Sequence, residues 1–199
     1  ILNNIRREAI LKLNEQRLKK INYLKKDYYI DVPDFIQKKD KSLYVHNDKL
    51  YEYVKDKKFD NIYIDYDSNI KSDKAIKSLP RVINKFDFKN DYYLLKEVGS
   101  IYKYKKGITD TSLNVTNSYS IAYLHSIGID KVTLSYELND NLIKKILENY
   151  KERYNKNPNI ELVVYGKPEV MITKYNLLKK YNQTEGYLID RFKNKYFIK

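Results

Sequence analysis

Residues 42–67 read SLYVHNDKLYEYVKDKKFDNIYIDYD, and the fold class turns on this stretch. SLYVHN (42–47) is a short β-branched and aromatic run. NDKLYEYVKDKKF follows with Leu50, Tyr53 and Val54 on one helical face, and NIYIDYD (61–67) then alternates apolar with polar residues. Asn47 or Asp48 can cap the intervening helix with a side-chain oxygen. Strand, helix and strand joined by short connections make a βαβ unit, which pairs its strands in parallel.

The rhythm continues downstream. YYLLKEVG (92–99) reads as a strand ending on glycine, and TSLNV (111–115) as another. A helix over 117–127 is closed by Gly128, and KVTLSY (131–136) follows as a strand. The helix over 140–154 has Leu142, Ile146 and Tyr150 at i+4 spacing, and IELVVYG (160–166) reads as the last buried strand. In SDKAIKSLPRVINKF (72–86) Pro80 interrupts any helix, which leaves LPRVI (79–83) as a candidate strand. GYLIDRFKNKYFIK (186–199) predicts a β-hairpin turning near Lys193–Asn194. Near-continuous apolar strands imply a parallel sheet covered on both faces. A complete (β/α)₈ barrel typically needs about 250 residues, so 199 residues with six or seven strands predict a partial TIM-like barrel or an open parallel sheet.

Ahead of this domain (42–199), residues 1–21 carry helical apolar spacing. Residues 22–41 have no sustained period and contain Pro33, and they read as a linker or arm. The chain enters directly into that helical pattern from Ile1, which leads us to expect a longer parent protein. No apolar run approaches the roughly 20 residues needed to span a bilayer, so no membrane partner is expected. The absence of cysteine excludes disulfides and thiolate metal sites within this segment, and the expected location is cytoplasmic.

The net charge of +13 suggests a polyanionic partner such as structured RNA. The excess is spread evenly, however: residues 1–60, 61–120 and 121–199 carry net charges of +5, +3 and +5. The abundance of Lys, Asn, Ile and Tyr is also what an AT-rich coding sequence produces without selection for binding. No HExxH, P-loop or GxGxxG motif occurs. Catalytic groups of α/β sheets sit at the C-terminal ends of strands, which directs attention to Asn114, Tyr136–Glu137 and Tyr165–Gly166. Glu137 can act as a base or substrate contact, or cap the next helix. Asn114 and Asn117 offer amide donors and acceptors, or form an Asx turn with helix capping. His46 ends the first strand, a position suited to function, whereas His125 lies inside a helix and reads as packed. Most of the 22 tyrosines, such as Tyr63, Tyr93 and Tyr150, fall at core-facing periods.

Three stretches, SLNVTNSYSIAYLHSIGIDKVTLSYELN (112–139), ELVVYGKPEVMITKYN (161–176) and GYLIDRFKNKYFIK (186–199), resemble the C-terminal part of peptidase family U32, in its long collagenase-like branch. LNNIRREAI (2–10) resembles the helix preceding that region, while roughly 67–110 diverges. The resemblance implies a TIM-like barrel. The family's motif runs from a strand ending in His-Gly to a cysteine ten residues after the glycine. Here Tyr165 stands at the histidine position, Gly166 matches, and Asn176 occupies the place of the cysteine. Shorter members have another cysteine three residues after the glycine, where this chain has Glu169. Relatives hold an iron–sulfur cluster with such cysteines, and a carboxamide is no substitute for thiolate. No cofactor is therefore expected within this segment. The family name implies proteolysis, but some relatives take part in hydroxylating cytidine or uridine in ribosomal or transfer RNA. The resemblance thus implies RNA modification, with a peptidase or a non-catalytic degenerate binding module as alternatives. Under it Glu137, Asn114, Tyr165 and Gly166 line one wall of a site, Asn117 is a further substrate contact, and Lys174 and Arg191 contact phosphate.

Overall fold

The computed structural model describes residues 2–18, 29–85 and 89–198. Asn47, two residues past the first strand, begins the helix after it: its backbone is extended and its side chain accepts the Leu50 amide at 2.7 Å. The expected βαβ unit follows, with β1 (Ser42–Val45), α2 (Asp48–Val54) and β2 (Asn61–Asp65). The same device recurs. Glu97 accepts from Gly99 and Ser100 at the start of α3 (Val98–Tyr104), Asn117 from Ser120 at α4 (Ser118–Ser126), and Asn139 from Leu142 at α5 (Asp140–Tyr154). Each cap satisfies an amide that the helix itself leaves without a partner.

The remaining sheet strands are β3 (Ala75–Ser78), β4 (Leu94–Leu95), β5 (Ile108–Thr109), β6 (Lys131–Thr133) and β7 (Ile160–Glu161). All seven pair in parallel and in sequence order. The sheet curls into a half-barrel, and its register shows how far. Tyr44, Tyr63 and Ile76 are partners; two residues on, Ser78, Leu94, Ile108 and Lys131 are partners; two further on, Thr133 pairs with Glu161. Yet the Glu161 carboxylate reaches Ser42, two residues before Tyr44, with Oγ to Oε1 at 2.6 Å. Going round the sheet thus returns the chain offset by about six residues, the stagger that tilted barrel strands impose. A side chain from β7 therefore joins the two edges of the curl.

The two faces bury different sets. The concave side packs Tyr63, Leu94 and Ile108 with Tyr44, Ile76 and Tyr92. The convex side is covered by helices. α2 packs Tyr51 and Val54 on Val45, Ile62 and Ile64, while α3, α4 and α5 cover Leu95, Val132 and Leu134 with Ile101, Ile121 and Tyr150. The arm is anchored where it is described: Val32 is buried, Lys156 donates to its carbonyl at 2.5 Å, and Asp40 pairs with the buried Lys131 at 3.1 Å.

Several sequence expectations change. LPRVI is not a strand; β3 precedes it, and Pro80, with no N–H, ends the ladder. The strand expected over 92–99 spans only Leu94–Leu95, because Glu97 starts a helix. TSLNV is instead a 3-10 turn (Thr111–Leu113) followed by left-handed Asn114, since Asp110 accepts the Ser112 amide and turns the chain. Only Val115 bridges to the sheet, at Leu134. IELVVYG pairs only as Ile160–Glu161; Val164 is 91% exposed and Tyr165 96%. The N-terminal helix α1 spans Leu2–Arg17 with no buried residue, and residues 19–28 of the expected helix and arm lie outside the described residues. The hairpin forms as β8 (Gly186–Ile189) and β9 (Lys195–Ile198), with Lys193 left-handed in its turn. Among the described residues no helix is long and apolar enough to cross a membrane.

Candidate active site at the mouth of the sheet

Strand alternation places Tyr44, Asp65 and Ser78 on the concave face, and the next such positions, His46, Lys96 and Asp110, just beyond the C-terminal ends of β1, β4 and β5. Four of these groups form one connected arrangement. The Tyr44 hydroxyl donates to Asp65 Oδ1 at 2.9 Å and accepts from Lys96 Nζ at 3.2 Å. Lys96 Nζ also lies 4.8 Å from the Tyr44 ring centroid, in cation–π range. His46 Nδ1 is 3.3 Å from Asp65 Oδ1, with its ring 4.5 Å from that of Tyr44. Ser112 donates to the Lys96 carbonyl at 2.9 Å, which fixes the backbone that carries the ammonium.

Burial, reinforced by the carboxylates of Asp65 and Asp110 and opposed by a hydrogen bond with Ser78, pushes the Tyr44 phenol far above its ordinary range. Tyr44 therefore remains a neutral donor that orients Asp65. Asp65 and the 63%-exposed His46 form the pair able to pass a proton to solvent. Lys96 presents a cation for a phosphate or a developing negative charge. Beneath them the curl is filled. Glu161 accepts from Tyr63 at 2.9 and 3.0 Å, from Ser42 at 2.6 Å and from Thr133 at 3.2 Å, and Tyr63, Leu94 and Ile108 close the floor. The arrangement is a packed barrel interior with a polar mouth, as parallel barrels have. Beside it, His46, Asn47, Asp48, Asp65, Asp67 and Ser68 line a cavity of about 190 Å³ at the tips of β1 and β2.

The wall expected from sequence is only partly assembled. Tyr136 donates to the Glu169 carbonyl at 3.3 Å, so the segments after β6 and β7 do meet. Glu137 is exposed and its amide donates to Ser135; Asn139, not Glu137, caps α5. Asn114 is exposed with φ 49°, and Asn117 caps α4. Tyr165 is exposed, and a Cβ on Gly166 would meet nothing within 4 Å. Lys174 is exposed in an irregular segment, whereas Arg191 lies over the Phe192 ring in the hairpin turn, 4.7 Å from its centroid. His125 is packed, as expected: its Nδ1–H donates to the Ile129 carbonyl at 2.8 Å. Tyr44, Asp65 and Lys96 were not singled out from sequence. The usable signal was the repeated spacing Tyr44-x-His46 and Tyr63-x-Asp65, which places polar tips on one face of neighbouring strands.

The donor set does not fit an iron–sulfur cluster. The chain has no cysteine, and the Asn176 side-chain oxygen is engaged by the Leu178 and Lys179 amides at 3.2 and 2.8 Å. Among the described residues no group of three His, Asp or Glu side chains is placed to hold a metal ion. Comparison with family models, curated proteins and solved structures finds no match for this chain.

Proposed function

We propose that this chain is the barrel portion of an RNA-acting enzyme of the U32 type, and that its polynucleotide is received at the C-terminal mouth of the curled sheet. The observation that carries this reading is the convergence of Tyr44, His46, Asp65 and Lys96 from three strand ends. Lys96 supplies a fixed cation for a phosphate or a polarised base oxygen, and Asp65 with His46 supplies proton transfer. The net charge of +13 favours an anionic polymer, and the resemblance at 112–139, 161–176 and 186–199 points to pyrimidine modification. The role assigned to this chain is to bind the RNA and move protons.

A filter-binding titration against structured RNA at several salt concentrations tests this. Phosphate contacts release counterions, so affinity should fall linearly on a log–log plot, and Lys96→Gln should flatten the slope by about 0.7 to 0.9. Affinity insensitive to salt would defeat the reading. A second reading, an accessory module that binds without chemistry, is favoured by Asn176, whose carboxamide serves as a local cap at the position that holds a cysteine in the U32 motif. Under it, the full chain binds RNA yet Asp65→Asn changes no modification yield.

A further inference from the structure

A second cavity, of about 430 Å³, lies between the first turn of α4 and one face of α5, away from the Tyr44–Lys96 group. Leu142 and Ile146 make its floor apolar, and Lys145, Asn149 and Arg153 rise from the same helical face. The charged residues lining it are both cationic, Lys145 and Arg153. The Arg153 guanidinium lies 3.8 Å from the Tyr119 ring centroid and donates to Ser118 Oγ at 2.8 Å. A preassembled guanidinium–ring pair therefore stands at the edge of an apolar hollow, with Tyr119 still 47% exposed. The half-buried Asn149 can both donate and accept through its amide, and Lys145 is exposed at the rim.

We infer that this cavity is a nucleotide-binding subsite for a single-stranded part of the RNA, an inference that rests on the function proposed above. One unpaired base stacks on the Tyr119–Arg153 platform, Asn149 meets its edge, and Lys145 takes the adjoining phosphate. Every base has a π-face and a phosphate, so this arrangement recognises single strands with little sequence preference. Because Arg153 is already held by Ser118, little side-chain entropy is lost when a base arrives. An acidic helix laid in the same hollow would meet Lys145 but would leave the Tyr119–Arg153 pair without a planar partner. Charge complementarity together with that pair selects the nucleic acid. Asn117, singled out in the sequence as a substrate contact, lines this cavity rather than the barrel mouth.

The test is fluorescence anisotropy of the full chain with a short labelled single-stranded RNA across a salt series. Tyr119→Ala should weaken binding at least about fivefold while leaving the salt slope unchanged, since it removes stacking and no charge. Tyr119→Phe should restore the affinity, which separates stacking from damage to the fold. Lys145→Gln, at an exposed site, should reduce the slope by about 0.7, one single-strand phosphate contact. Unchanged affinity in Tyr119→Ala and unchanged slope in Lys145→Gln, alongside binding that depends on Lys96, would overturn this subsite and leave the barrel mouth standing. Absence of any RNA binding by the parent chain would overturn both, as would binding of an acidic peptide in place of RNA that is lost in Tyr119→Ala.

Discussion

Removing the Glu161 side chain should unlock the curl. Three hydroxyls converge on this carboxylate: Tyr63 on the second strand, Ser42 on the first and Thr133 on the sixth. Hydrogen bonds to a charged acceptor contribute about 1.5 to 3 kcal/mol each, offset by the cost of desolvating the carboxylate. Tyr63 is only 5% exposed, so Glu161→Ala leaves its hydroxyl with only the long 3.4 Å bond to Ser42 Oγ, a penalty of about 1 to 3 kcal/mol. Ser42 and Thr133 lose bonds as well. The combined expectation is about 3 to 4 kcal/mol for Glu161→Ala and about 1 kcal/mol for Glu161→Gln, which keeps one acceptor oxygen. For a chain of this size the larger loss lowers Tm by roughly 6 to 16 °C. Urea unfolding monitored by circular dichroism measures it. A cycle with Tyr63→Phe isolates the contact, with a coupling of about 1 to 2 kcal/mol expected. A loss below about 0.5 kcal/mol for Glu161→Ala would refute the idea that Glu161 holds the two edges together, and a coupling near zero would remove Tyr63 from that hold.

Two other perturbations follow from single residues. Burial lowers the His125 ring below its ordinary value of 6.5, opposed by its bond to Ile129, so the folded state keeps it neutral while the unfolded state takes a proton near pH 6.5. Its stabilisation is complete above about pH 6.5 and is lost as pH falls toward the folded value, with a slope of up to about 1.4 kcal/mol per pH unit. Urea midpoints at pH 7.5 and 5.5 should show this drop in the parent and a smaller one in His125→Gln; equal drops would contradict it. Gly128 has φ 104° and a Cβ there would overlap the Lys105 carbonyl, whereas Gly166, at φ 147°, faces open space. Gly128→Ala should therefore cost about 2 to 4 kcal/mol and Gly166→Ala, strained by its positive φ alone, about 1 to 2 kcal/mol, and thermal melts that rank them equally would count against the geometry.

The architecture was legible wherever a segment carried its own period and cap. The helix within the βαβ unit at 42–65 and the helix at 140–154 both begin at an asparagine whose side chain closes the first turn, and both emerged where expected. The strands at Leu94–Leu95 and Ile108–Thr109 were misread or missed because two residues are too few to show alternation. Their neighbours' hydrogen bonds define them. Residues 162–165 looked buried because β-branched runs favour strands, but composition does not say whether anything pairs beyond Glu161. The candidate site was harder still. Lys96 was read as an ordinary position within a strand, and its meeting with Tyr44 depends on a stagger that accumulates across three strand pairings. His46 was identifiable from its strand-end position, but its partner Asp65 became evident only from the register.

Mapping where RNA touches the protein tests the central claim most directly. The full chain would be photo-crosslinked to thiouridine-substituted structured RNA and digested, and the adducts located by mass spectrometry. Adducts in the peptides carrying Tyr44–His46, Asp65–Ser68 and Lys96–Ser112 are the predicted result. Adducts confined to the hairpin at 186–198 and to the N-terminal helix would contradict it.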